Sequence, residues 1–101
     1  QMPASGLLSH ALARLLAACP DLSVRDGARA RDLAIAVWNA SPATAHAETV
    51  ALALAELGHC ADAAVWQRTA IEQARREGFD AKVADLSRAL SAYEKGSPCR
   101  P

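Results

Sequence analysis

The sequence predicts an all-α domain of about five helices packed as antiparallel pairs. Three observations carry this expectation. Alanine, the best helix former, supplies 25 of the 101 residues. Apolar residues recur at three- and four-residue spacing, not in strict alternation. Breakers at Pro20, Pro42, Gly58, Gly78 and Gly96 cut the chain into pieces of ordinary helix length.

Each element follows from that reading. Leu7, Leu8, Ala11, Leu12, Leu15 and Leu16 form a helical stripe, so the first helix spans about 6–18 and Pro20 ends it. Ser23 is placed to cap the second helix, with Asp26 three residues on as an acidic capping box. That helix spans about 24–39, and Val24, Ala30, Leu33, Ala34, Val37 and Trp38 mark its buried side. Gly27 in its first turn is a cost. The third helix spans about 43–57, with Val50, Leu54 and Leu57 in register. The fourth spans about 60–76 and carries small residues at Ala63, Ala70 and Ala74. Arg75 and Arg76 suit its C-terminal dipole, and Gly78 suits the left-handed stop. Asp80 is read as the cap of a fifth helix reaching about Glu94, with Val83, Leu86, Leu90 and Tyr93 as its stripe.

Composition narrows the function classes. Hydrophobic residues make up 51% of the chain and aromatic residues 4%, so the helices pack closely through thin side-chain layers. Eleven basic and eleven acidic residues give zero net charge, which argues against a nucleic-acid partner. No apolar run reaches the roughly 20 residues of a membrane span. Gln1 ahead of Met2 reads as a tag remnant on a trimmed piece, so a missing leader says little about the native protein.

The chain also repeats. Ala30, Ala34 and Val37 match Ala63, Gln67 and Ala70 at an offset of 63 − 30 = 33 residues. Thr49-Val-Ala-Leu-Ala-Leu-Ala-Glu-Leu-Gly58, followed by Ala63 and Ala70, resembles a tetratricopeptide repeat, a helix pair of about 34 residues. Leu16-Ala-Ala-Cys-Pro-Asp21 with Val24-Arg-Asp-Gly-Ala28 resembles a second such unit. The pattern is similar to the degenerate repeats at the C-terminal ends of larger bacterial proteins. It departs from the family at Leu54, where Tyr is usual, and at Gln67, where an aromatic is preferred. The resemblance implies a single domain over 1–101: repeat 1 at 7–40, repeat 2 at 43–77, a capping helix at 79–95 and a tail at 96–101. It implies a short right-handed α-α superhelix.

Cys19, Cys60 and Cys99 are the three cysteines. The fourth helix begins at Cys60 and the fifth returns antiparallel, so the chain beyond Tyr93 comes back toward Cys60. Five residues after Glu94 span up to about 17 Å. A Cys60–Cys99 bridge is therefore the expected disulfide, with a Cys19–Cys60 pair or three reduced thiols as the alternatives. The bridge favours a periplasmic or secreted setting, and free thiols a cytoplasmic one. His59 beside Cys60 lacks the short paired spacing of a zinc site, so no metal is expected. No nucleophile elbow or phosphate loop occurs, and neither catalysis nor a cofactor is expected. His10 and His46 are isolated on helices, solvated or lining a groove. Trp38 is expected between the repeats and Trp66 under the capping helix.

In the tetratricopeptide family the first helix of each pair lines the concave face. Carried onto this chain, that places a groove on the first, third and fifth helices. His10, Ala13, Arg14 and Ala17 come from the first, Ala45, Glu48, Leu52 and Ala55 from the third, and Arg88 from the fifth. The expected function is a non-catalytic scaffold that binds a peptide or protein surface there. The alternative is a structural C-terminal appendage, or a homodimerisation domain, of a larger bacterial enzyme.

Overall fold

A computed structural model of the chain describes residues 10–14, 17, 26–96 and 99. The described residues form an all-α fold. Helix α1 covers 10–14 and again 17. It is followed by α2 (Gly27–Ala40), α3 (Thr44–Glu56), α4 (Cys60–Arg76), a 3-10 turn (Asp80–Lys82) and α5 (Val83–Glu94). From α2 onward each helix packs against its neighbour in sequence.

The helix ends explain the sharp hairpins. Gly58 and Gly78 have φ of +80° and +79°, a region closed to most side chains. At the first, the His59 N–H donates to the Leu54 carbonyl and the Gly58 N–H to the Ala55 carbonyl. At the second, Phe79 N–H donates to Ala74 and Gly78 N–H to Arg75. Both are Schellman stops, which satisfy the carbonyls left over at a helix end. They fix the α3–α4 and α4–α5 turns in one geometry.

Two helix starts differ from expectation. Asp26 itself caps α2, its carboxylate accepting from the Arg29 N–H at 3.1 Å. The helix therefore begins at Gly27; Ser23 and Val24 lie outside the described residues. Gly27 also has a purpose there: a Cβ would meet the Leu57 side chain at 3.0 Å and that of Glu56 at 3.2 Å. Asp80 does not cap α5. It opens a 3-10 turn, and no side chain caps either that turn or the helix behind it.

Alanine builds the core. Ala34, Val50, Ala51, Leu54, Ala55, Ala63, Ala64 and Tyr93 share one buried cluster with Ala13 and Cys99. Ala17, Ala30 and Ala53, all fully buried, close the junction of α1, α2 and α3. Ile71, Ala74 and Leu86 form a third cluster between α4 and α5. Small residues let backbones come close, at the cost of little buried area per contact. Trp38 and Trp66 meet edge to face, ring centroids 5.7 Å apart, so Trp66 pairs with α2.

The α4–α5 end is fastened by more than packing. Cys60 and Cys99 form a disulfide with Cα atoms 5.8 Å apart, across 39 residues of sequence. Cys99 is buried. Cys19 lies outside the described residues. Gln67, fully buried on α4, donates its amide to the Leu86 carbonyl of α5 at 2.9 Å. Its own carbonyl oxygen has no protein partner. Arg68 and Glu94 pair across the same interface at 2.6 Å, both about half exposed.

Candidate groove on α1, α3 and α5

Helix α3 starts without a side-chain cap of its own, because Ala43 stands at the capping position. A carboxylate from the far end of the hairpin takes over. Glu77 accepts from the Thr44 backbone N–H at 3.2 Å and from the Thr44 hydroxyl at 2.8 Å. Gln73 donates to it as well, at 3.1 Å. Burial works to raise the Glu77 carboxyl; the hydrogen bonds from Thr44 and Gln73 and the nearby His46 outweigh it and hold the group below its ordinary value. An anion at a helix N-terminus is the favourable sign.

One turn further along α3 lies a polar patch that receives α1. The Thr49 hydroxyl, fully buried, donates to the Ala45 carbonyl at 2.8 Å. Its single proton is thus used, and it can only accept from α1. His10 Nε2 lies 2.9 Å from it and therefore carries a hydrogen. The Arg14 guanidinium donates to the same oxygen at 3.4 Å and pairs with Glu48 at 3.7 Å. His46 is buried, and its Nδ1 lies 2.6 Å from the Ser41 carbonyl, which can only accept. Nδ1 of His46 therefore bears a hydrogen too. The His10 and His46 rings meet edge to face with centroids 4.6 Å apart. Burial lowers the His10 imidazole below its ordinary value; His46 and Arg14 add to this, and the Ala45 carbonyl opposes it.

Helix α5 reaches the same place through Tyr93. Burial, and then the charge of Glu48, push its phenol up to about 12, while Arg14 pulls the other way. Tyr93 thus stays a neutral hydroxyl, and it feels one charge from α3 and one from α1. Residues from three helices converge here.

Of the expected groove residues, His10, Arg14 and Glu48 are brought together. Leu52, one turn beyond Glu48, is half-buried against the Ala17–Ala30–Ala53 junction. Arg88 is not brought to them. Its side chain is 75% exposed and pairs with Asp85 on its own helix. It lies about 140° around α5 from Tyr93, at 100° per residue. Ala13, Ala17 and Ala55 are not groove-lining either: all three are buried in the core, because alanines at these positions are where the helices touch. Thr49 and Glu77 were missed by sequence reasoning; His46, expected to be solvated or to line a groove, is buried against His10, and Tyr93 was read only as part of a buried stripe. The signal for Thr49 was its place three residues after His46, on the same face of α3 as Val50 and Ala53.

The Thr49 hydroxyl and the His10 imidazole are in hydrogen-bond contact, but that hydroxyl is fully buried and gives its proton to the Ala45 carbonyl. Among the described residues, no group of three His, Cys, Asp or Glu side chains is placed to hold a metal. No helix among them is long and apolar enough to cross a membrane. A concavity of about 910 Å³ lies beside the disulfide, between the first turn of α4 and the last of α5, away from Arg14 and Glu48. Val65, Arg68, Tyr93 and Glu94 help to line it. Comparison with protein-family models, with characterised proteins and with solved structures returns no match.

Proposed function

We propose that the chain is a non-catalytic protein-interaction module of tetratricopeptide type, which holds a peptide or protein segment against α1, α3 and α5. The observation that supports this most is the convergence of Arg14, Glu48 and Tyr93 from three alternate helices. Arg14 and Glu48 are each about two-fifths exposed, so both have polar atoms to offer a partner. The face carries one cation, one anion and the half-buried His10 imidazole, which suits a polar peptide backbone more than a strongly charged partner.

Photo-crosslinking tests this reading. A photoreactive residue at Leu52 is expected to capture a discrete partner in native extract, and the same residue at Glu72 on α4 to capture none. Arg14→Ala is expected to reduce the Leu52 capture by at least fivefold. Equal labelling from both positions overturns the groove assignment.

A second reading has its own support. Val65 is 56% exposed and Phe79 47% exposed, large apolar groups on the α4 side of the molecule. They suit an appendage that packs on its own parent protein or on a second copy. Light scattering decides the dimer version: a strict monomer at 100 micromolar (~0.1 mM, well above a typical dimer constant) rules it out.

A further inference from the structure

We propose that the outer groove between α4 and α5 binds a small monocarboxylate with an apolar body, its carboxylate taken by Arg75 and Ser87. This site is separate from the groove on α1, α3 and α5 and does not depend on it. The concavity measures about 370 Å³ and is lined by Arg68, Ile71, Glu72, Arg75, Ser87 and Leu90. Its floor is apolar: Ile71 is buried and Leu90 half-buried, both in the cluster that joins the two helices. The charges around it are paired off one by one. Arg68 meets Glu94 of α5 at 2.6 Å. Glu72 is drawn along its own helix to Arg76, at 3.6 Å, and Arg76 also bonds Gln73. Arg88, next to Ser87, pairs with Asp85. Among the described residues, Arg75 is left with no carboxylate and the Ser87 hydroxyl with no hydrogen-bond partner.

The register of the two helices shows what this rung lacks. Positions seven apart on an α-helix share a face, offset by only about 20°. Arg75 stands two turns after Arg68 (75 − 68 = 7), and Ser87 two turns before Glu94 (94 − 87 = 7). The helices are the two arms of one hairpin, so both shifts run the same way along the groove. The Arg75–Ser87 rung therefore repeats the Arg68–Glu94 rung with a hydroxyl in place of the carboxylate. The last turn of α4 suits a cation through its dipole, but that leaves the fork of guanidinium N–H donors unused.

These groups define the ligand. A guanidinium only donates, and a hydroxyl can donate beside it, so an incoming carboxylate finds its hydrogen bonds here. Glu72 lines the same groove, so a second negative charge on the ligand would meet a carboxylate. That favours a monocarboxylate over a dicarboxylate or a phosphate. Ile71 and Leu90 set the remainder as a short hydrocarbon body. The volume lies near the lower end of small-molecule sites, about 300–1,000 Å³.

Titration of the intact, disulfide-bonded chain with hexanoate tests this, read by NMR at the Arg75 Nε–H and at the Ser87 and Leu90 amides. The expected result is a saturable shift at all three, with a dissociation constant on the order of 1–10 mM for so few ligand atoms. Hexanamide lacks the charge and acetate lacks the body; each should bind about fivefold more weakly. Arg75→Gln is expected to weaken hexanoate by about fivefold as well. Ser87→Glu is the sharper variant, because it removes no cation and restores the rung. It should block hexanoate with a thermal midpoint at or above that of the wild type, which separates a filled site from a misfolded one. Arg88→Gln, outside the groove, should leave binding unchanged. The site is overturned if no saturable shift appears, or if hexanamide or acetate binds as well as hexanoate. It is also overturned if Arg75→Gln or Ser87→Glu binds undiminished, or if Arg88→Gln weakens binding equally. A ligand of this size leaves no protein adduct on a photoreactive residue at Glu72, so the crosslinking and the titration fail separately.

Discussion

The two ends of this helix stack are held by different physics. At the α4–α5 end, a disulfide, a buried amide and an ion pair bridge one interface. At the α1–α3 end, alanines and Leu12 touch, and the polar contacts pass through two histidines, a threonine, an arginine and a glutamate. The covalent link acts mainly on the unfolded chain and is indifferent to mild acid. The contacts at the other end are noncovalent throughout, among the described residues. One end is thus closed covalently, and the other by packing and hydrogen bonds.

The largest expected effect comes from undoing the covalent end. Cys99→Ser is predicted to lower unfolding stability by about 3–4 kcal/mol, the loop-entropy value for a loop of this size. Denaturant titration checks it, and the reduced wild-type protein should reach the same midpoint. If α1 exchange also accelerates in this variant, the two ends are not independent.

Next in size is overpacking of the alanine junction. Ala53→Leu adds a methine and two methyl groups to a site where Ala17, Ala30 and Ala53 are fully buried. A loss of about 2 kcal/mol is expected, with exchange in residues 10–14 rising before that of α4. Equal acceleration along the chain would show that α1 has no separate stability.

Glu77 tests the middle of the molecule. Glu77→Gln removes the charge at the α3 N-terminus and is expected to cost about 1 kcal/mol near neutral pH. The folded protein holds this carboxyl below its ordinary value of 4.5. Its contribution is therefore complete above about pH 4.5 and is lost as pH falls through the lowered value. Wild type should lose this increment in acid titrations while the glutamine variant does not. The curves converging at low pH is the signature, and parallel curves would refute the capping role.

The smallest effect is expected at Gln67. Its amide N–H bonds Leu86, but its carbonyl oxygen is buried without a protein partner. Gln67→Met keeps the shape and removes both the bond and the orphan, so thermal stability should stay within about 0.5 kcal/mol. A large loss would mean that the amide fastens α5 more firmly than its one bond suggests.

Which parts were legible in the sequence follows from the same physics. The expected spans 43–57 and 60–76 agree with Thr44–Glu56 and Cys60–Arg76, because Gly58 and Gly78 dictate local backbone geometry. The bridge followed from hairpin direction alone. The starts of α2 and α5 were less legible: Ser23, Asp26 and Asp80 all have capping side chains, and sequence does not say which one meets a free N–H. In the candidate site, the family resemblance set Arg14 and Glu48 on one face, and the two pair at 3.7 Å. The role of Glu77 did not, since its partner Thr44 lies 33 residues away and no local rule links them. His46 fared similarly: helical spacing gives its face but not the ring of α1 that it meets. Arg88 was misplaced because a charge on an exposed helix is drawn as easily to its own i,i+3 neighbour as to a groove.

The Glu77–Thr44 contact has a further meaning for the chain as a whole. It sets the exit of one helical hairpin directly beside its entrance. A unit with both doors on the same side needs only a short joint to the next one, before it or after it. A chain of such units lengthens by inserting whole hairpins, with no element already in place having to be rerouted.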